Sequence, residues 1–265
     1  FFFGLFSGSM TVDCALVSCT APLKKAWDNA LWEVVLNQVV NQLPTKRTHG
    51  KHRSHCAKEI LPAFVTNLLT LCPLSPGDVF WDCGSGIGNA VLQVAVQSKC
   101  SAWGVELQEA NHEIACQTWD ALRERMDFDM WEPGDYGEAH FHQGDMTQIH
   151  ERFIESLGCD PNKILIFMNN YLFPNALDLQ MTELFANLPV GAHIACMKPL
   201  FPIGRSSRCN SGFASAFRLS TYPYPATWVE WGFPGTLYIY TRADPCAPLL
   251  PAPALRGVQS PPAKR

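Results

Sequence analysis

The chain has 265 residues, 47% hydrophobic and 17% charged, with a formal net charge of −4. That balance gives a globular fold with a sizeable core, and it excludes a disordered chain or a protein that grips nucleic acid by its overall charge. The 11 cysteines are an odd number with no C-x-x-C pair, which disfavours zinc and disulfide frameworks and favours a reducing compartment.

No apolar run reaches membrane-spanning length. The opening Phe1-Phe2-Phe3-Gly4-Leu5-Phe6 is apolar but lacks the basic flank of a signal peptide. Residues 1–21 show no clear period and are expected to be disordered or added ahead of Met10. Residues 22–71 are expected to form a small helical lobe. Pro22 can open a helix, and Trp27, Leu31, Val34, Val35 and Val39 share one face at helical spacing.

Inside that lobe, 44–58 is a basic loop. Lys46, Arg47, Lys51, Arg53 and Lys58 fall within thirteen residues, and Glu59 is the acid that follows. His49, His52 and His55 invite a metal reading, but no acid or cysteine completes a ligand set, and no metal is assigned. A solvated loop is the simpler reading; a loop beside the cofactor or an acidic partner is the functional one. A helix is expected over 57–71, with Pro62 near its first turn.

The stretch Val79-Phe80-Trp81-Asp82-Cys83-Gly84-Ser85-Gly86-Ile87-Gly88 reads as a buried strand, a tight turn and the entry to a helix over Asn89–Gln97. Glycines there let a ligand approach the backbone, and the helix start offers free N–H groups. The dinucleotide fingerprint G-x-G-x-x-G would need glycine at 89, which is asparagine. The spacing D-x-G-x-G-x-G instead resembles motif I of class I S-adenosylmethionine-dependent methyltransferases. A nucleotide-binding enzyme and a bare structural turn remain open from this motif alone.

A second strand, Ser101–Glu106, ends in an acid placed to bond ribose hydroxyls. A helix over 109–126 and a strand Ala139–Gln143 follow. Gly144-Asp145-Met146 offers an acceptor for an adenine amine and an apolar cover for its ring. Residues 147–157 are expected to be helical. Lys163–Met168 is the most apolar strand, as a central parallel strand should be, and it ends in Asn169-Asn170-Tyr171-Leu172-Phe173-Pro174. In open parallel sheets ligands lie beyond the strands' carboxyl ends, so this end faces the glycine turn. A helix Leu177–Leu188, a strand His193–Met197 and a hairpin of Phe213–Thr221 with Thr236–Thr241 complete the pattern. The tail 243–265 carries six prolines and is expected to be disordered. This order predicts an α/β fold, a doubly wound seven-stranded sheet of the methyltransferase type over 72–242.

Several motifs in order carry a more specific likeness: Asp82-Cys-Gly-Ser-Gly-Ile-Gly-Asn89, Gly104-Val105-Glu106, Gly144-Asp145, Ile166-Phe167-Met168-Asn169-Asn170, Leu184-Phe185-Ala186-Asn187-Leu188 and Lys198-Pro199. Over residues 45–242 they resemble the disruptor-of-telomeric-silencing histone methyltransferases, non-SET enzymes that methylate a lysine in the globular core of histone H3. The short protist members resemble it most.

The resemblance implies a nuclear chromatin enzyme that uses S-adenosylmethionine and releases S-adenosylhomocysteine, with histone H3 in the nucleosome as partner and no membrane. It implies that Asp82, Gly84, Ser85, Gly86, Asn89, Glu106, Asp145 and Met146 form the cofactor site. Asn169, Phe173 and Tyr238 become walls of the lysine channel, with Trp231 near its mouth. Lys46, Arg47, Lys51 and Arg53 become a local contact to DNA or an acidic histone patch. Three departures stand out. The family's Tyr-Gly-Glu lid over methionine is set against His49-Gly50-Lys51, the phenylalanine after Gly-Asp is Met146, and the long basic extension of several members does not follow. Two alternatives stay open: an amino-group methyltransferase acting on nucleic acid or a glutamine amide, though Asn169-Asn170-Tyr171 lacks its prolines, and a silent cofactor-binding chromatin adaptor.

Overall fold

A computed structural model of the chain describes residues 29–43, 58–128, 132, 134–148, 163–200 and 211–244. Their seven strands form one sheet in the order β3-β2-β1-β4-β5-β7-β6. The strands are β1 Val79–Cys83, β2 Ser101–Glu106, β3 Ala139–Gln143, β4 Ile164–Met168, β5 His193–Cys196, β6 Phe217–Tyr224 and β7 Gly235–Arg242. The first five run parallel, and β7 runs antiparallel to both β5 and β6. This is the predicted doubly wound sheet with its closing hairpin.

Every residue of β1 and β4 is buried. Strands covered on both faces read as unbroken apolar runs, which is why these two were visible in the sequence. Phe80, Ala102, Leu165 and Phe167 point to one face, with helices α1 Asn29–Gln42, α2 Pro62–Leu71, α3 Asn89–Ser98 and α4 Glu109–Phe128. Val79, Trp81, Ile164 and Ile166 point to the other, against Met181 and Phe185 of α5 Asn175–Phe185. A strand's side chains alternate between faces, so one run feeds both cores.

Three bounds need correction, and other expectations fall outside the described residues. The helix expected from residue 57 begins at Pro62, because proline suits the first helical position and Leu61 before it is extended, φ −90° and ψ 162°. Residues 211–216, partly assigned to a strand, form a short helix α6, Ser211–Ala216. Its Phe213 stacks on Phe217, ring centroids 4.2 Å apart, a pairing of residues four apart that helical backbone brings together. The helix expected to 188 ends at Phe185. A 3₁₀ turn, Met146–Gln148, stands where the expected 147–157 helix begins; residues 149–157, the basic loop through residue 57, the segment 1–21, the expected helix opening at Pro22 and Trp27, and the tail from 245 lie outside the described residues.

Candidate active site

The carboxyl ends of β1, β2 and β4 open onto a cavity of about 300 Å³, inside the range of small-molecule sites. The glycine turn forms its floor. The N–H groups of Gly84 and Ser85 both donate to the Val105 carbonyl at 2.9 Å, which ties the turn to β2. Gly84 sits at φ +89°, where a side chain would be strained and its Cβ would come within 3.3 Å of Phe173 and 3.4 Å of Met146. Gly88, at φ +85°, has the Phe141 ring 2.7 Å from where a Cβ would stand. Gly88 then starts α3 with no side-chain cap, so the first N–H groups of that helix are left for another partner.

The polar lining is short of partners. Asp82 is 4% exposed and its Oδ1 has no hydrogen bond. Burial, reinforced by Glu106, pushes its carboxyl up to about 8. Ser85 Oγ and Asn89 Oδ1 are also buried without partners. Buried polar atoms are nearly always satisfied, so three orphans around one cavity mark a place built for a polar ligand. Glu106 accepts from the N–H groups of Gly86 and Gln108, both at 2.8 Å, and so braces the turn as well as facing the cavity. Asp145 Oδ1 accepts from Thr147 N–H and Oγ1 at 2.8 Å, which caps the 3₁₀ turn carrying Met146. All eight residues assigned to the cofactor line this one cavity.

The residues assigned to the lysine divide. Asn169 and Phe173 line the cavity from the end of β4. The Asn169 amide donates to the Lys58 carbonyl at 3.1 Å. Trp231 and Tyr238 are not among the lining residues. Tyr238 lies on β7 opposite Cys196. Trp231 stacks on exposed Tyr171, centroids 6.1 Å apart at 15°. Burial raises Tyr224, and a hydrogen bond from Trp231 opposes that rise.

Sequence reasoning missed Glu59. The lid set against His49-Gly50-Lys51 lies outside the described residues; Glu59, just after the basic run, lines the cavity together with Asp82, Glu106 and Asp145. Its carboxylate accepts from the Asn89 amide. Its backbone N–H donates to Glu230 Oε2 at 2.8 Å, and its carbonyl accepts from Glu230 N–H at 3.0 Å. Leu61 N–H donates to the Trp228 carbonyl, and Ile60 bridges Val229. Residues 58–61 are thus an extended strap between the cavity and the Trp231 turn. The one signal was an acid closing a basic run just before a helix-opening proline. Among the described residues no three His, Cys, Asp or Glu side chains gather to hold a metal, and no helix is long and apolar enough to cross a membrane.

A family model described as "Histone methylation protein DOT1" matches residues 39–242. The chain is 29% identical over 205 residues to the histone-lysine N-methyltransferase, H3 lysine-79 specific, of Cryptococcus neoformans var. neoformans serotype D, covering 72% of this chain and 31% of that one. It is 26% identical to the protein of that name from Mycosarcoma maydis, covering 90% and 29%, and 25% identical to that of Yarrowia lipolytica, covering 78% and 42%. The chain therefore spans less than half the length of these curated relatives. With the glycine turn, the acid ending β2 and the amide ending β4 meeting at one cavity inside the matched span, the chain belongs to the DOT1 histone methylation family.

Proposed function

We propose that this chain is an S-adenosylmethionine-dependent histone-lysine N-methyltransferase that acts in the nucleus on a lysine in the globular core of histone H3. The carrying observation is one cavity whose cofactor-type floor of Gly84, Ser85 and Gly86 continues into Asn169 and Phe173, in a chain of the DOT1 family. Relatives named for H3 lysine 79 make that lysine the first candidate.

The residues fit the cofactor. Glu106 holds the ribose hydroxyls, Asp145 accepts from the adenine amine and Met146 covers the ring. Asp82, Ser85, Asn89 and the start of α3 take the methionine end, where the orphaned atoms Asp82 Oδ1, Ser85 Oγ and Asn89 Oδ1 lie. When bound, S-adenosylmethionine supplies an electrophilic methyl group on sulfonium. The protein's own task is positioning and electrostatics. The substrate lysine must present a neutral amine, although its ordinary pKa is about 10.4. Phe173 desolvates it and lowers that value, and the Asn169 amide orients it. Water removes the proton, since no side chain at the cavity is assigned as the base.

Residues 72–242 act as the catalytic core and 22–71 as a lobe that delivers the basic loop. Lys46, Arg47, Lys51 and Arg53 contact nucleosomal DNA or an acidic histone patch. Charge reversal at Lys51 and Arg53 weakens nucleosome binding and flattens its salt dependence; unchanged binding would refute that contact.

The test is incubation with labelled S-adenosylmethionine and intact nucleosomes, free histone H3 or nucleic acid, with mapping of the label. Label on an H3 core lysine supports the reading. Label on nucleic acid or on a glutamine amide replaces it with the amino-methyltransferase alternative, and bound cofactor without any label replaces it with a silent adaptor.

A further inference from the structure

Asn170 and Lys198 have no task in the reading above, yet they are tightly held. Asn170 is fully buried. Its amide nitrogen donates to Asp178 Oδ1 at 3.0 Å and to the Lys198 carbonyl at 3.2 Å. Its oxygen accepts from the N–H groups of Met197 at 2.9 Å and Lys198 at 3.0 Å. Lys198 Nζ lies 2.8 Å from Asp178 Oδ2 and also donates to the Phe173 carbonyl. Asp178 is 2% exposed; burial pushes its carboxyl up while Lys198 and Asn170 pull it down.

These contacts join three pieces of chain: the end of β4, the first turn of α5 and the residues after β5. None of the three side chains lines the cavity. What they grip is the 3₁₀ turn Asn170–Leu172, flanked by Asn169 and Phe173, which do line it. A buried ion pair is a poor source of stability, since apolar residues of similar volume often serve as well. Here its bonds end on the backbone and amide of the turn that presents two cavity residues. That placement suits fixing a geometry better than filling a core.

We infer that Asp178, Lys198 and Asn170 form a positioning bracket that holds the Asn169 amide and the Phe173 ring on the line of methyl transfer. The inference rests on the methyltransferase reading for its catalytic consequence, and on geometry alone for its structural one. The bracket acts through the turn and touches neither cofactor nor substrate.

The test compares the full wild-type chain with Asp178→Asn/Lys198→Met and with Lys198→Arg. The double variant removes both charges together, because Lys198→Met alone would strand a buried carboxylate. Four quantities are read: the thermal midpoint, S-adenosylhomocysteine affinity by calorimetry, kcat and KM on nucleosomes, and amide exchange across residues 168–175. The bracket predicts a folded double variant with cofactor affinity little changed, kcat lower by about 100-fold and KM nearly constant. It predicts faster exchange confined to 168–175 and partial recovery of kcat in Lys198→Arg. A purely structural pair predicts instead a lower midpoint, with kcat per folded molecule and local exchange unchanged, and that result overturns the inference. Should the double variant not fold, the same readouts in Lys198→Arg decide, since a displaced guanidinium must still change kcat and local exchange. Should the wild type transfer no methyl group, the methyltransferase reading fails separately. Exchange at 168–175 then decides the bracket: faster in the variant upholds it, unchanged overturns it.

Discussion

At the glycine-turn end of the cavity, Asp82 Oδ1, Ser85 Oγ and Asn89 Oδ1 are buried with nothing to bond. At the β4 end, the side chain of Asn170 uses its donors and its acceptor together, and Asp178 pairs with Lys198 at 2.8 Å. The first end has unmet bonding capacity at the place where a ligand must supply partners. The second has its capacity closed on itself, next to the cavity residues Asn169 and Phe173. A binding surface and a positioning surface can be told apart by where their hydrogen bonds go.

Substitutions at the two ends should therefore fail in different ways. The largest effect is expected at the floor. Gly84→Val forces a β-branched residue into φ +89° beside Phe173 and Met146, adding strain of roughly 1–3 kcal/mol besides the clash. Calorimetry should show S-adenosylhomocysteine affinity lower by about 100-fold or more; retained affinity would mean the ligand does not sit on this turn. Next comes Asn169→Ala at the other end. It should lower kcat by about 100-fold while leaving cofactor affinity near that of the wild type, as read by single-turnover methylation. A loss of affinity with kcat intact would reverse the roles of the two ends.

Glu106→Gln should be milder. It weakens two charge-assisted bonds, to Gly86 and Gln108, and the ribose contact proposed above. About a tenfold loss of cofactor affinity is expected, with kcat at saturating cofactor preserved. Loss of kcat at saturation with unchanged affinity would remove Glu106 from the binding end.

A separate effect is on stability. Burial, reinforced by Glu106, pushes the Asp82 carboxyl from its ordinary 3.8 up to about 8 in the fold. Between those values the folded protein keeps a proton that the unfolded chain has lost. Stability of the ligand-free protein should thus fall as pH rises through that window and be unaffected by this group below it. Asp82→Asn should flatten that part of the thermal-midpoint profile. Parallel profiles for the two proteins would show that Asp82 is not held protonated.

The same contrast explains what the sequence revealed. The floor is local: Asp82 to Asn89 is one strand, one turn and one helix start, and its glycines are demanded by positive φ that no other residue accepts cheaply. Glu106 and Asp145 were legible because one ends β2 and the other follows β3, and both strands return to the same edge. The other end is assembled from afar. Lys198 meets Phe173 and Asp178 only because β5 lies beside β4, and nothing in the spacing announces that contact. The strap at Glu59 was hidden for a related reason. Its partners, Trp228–Glu230, are more than a hundred residues away, and Pro62 made the preceding residues look like a helix start. Phe213 and Phe217 fit a strand's alternation as well as a helix's four-residue spacing, and packing decided between them.

The most direct test is a crystal structure of this chain with S-adenosylhomocysteine. The ribose should lie on Glu106, the adenine by Asp145 and Met146, the amino-acid end among Asp82, Ser85 and Asn89, and the sulfur should face Asn169 and Phe173. A ligand bound elsewhere, or one whose sulfur turns away from the end of β4, would contradict this placement.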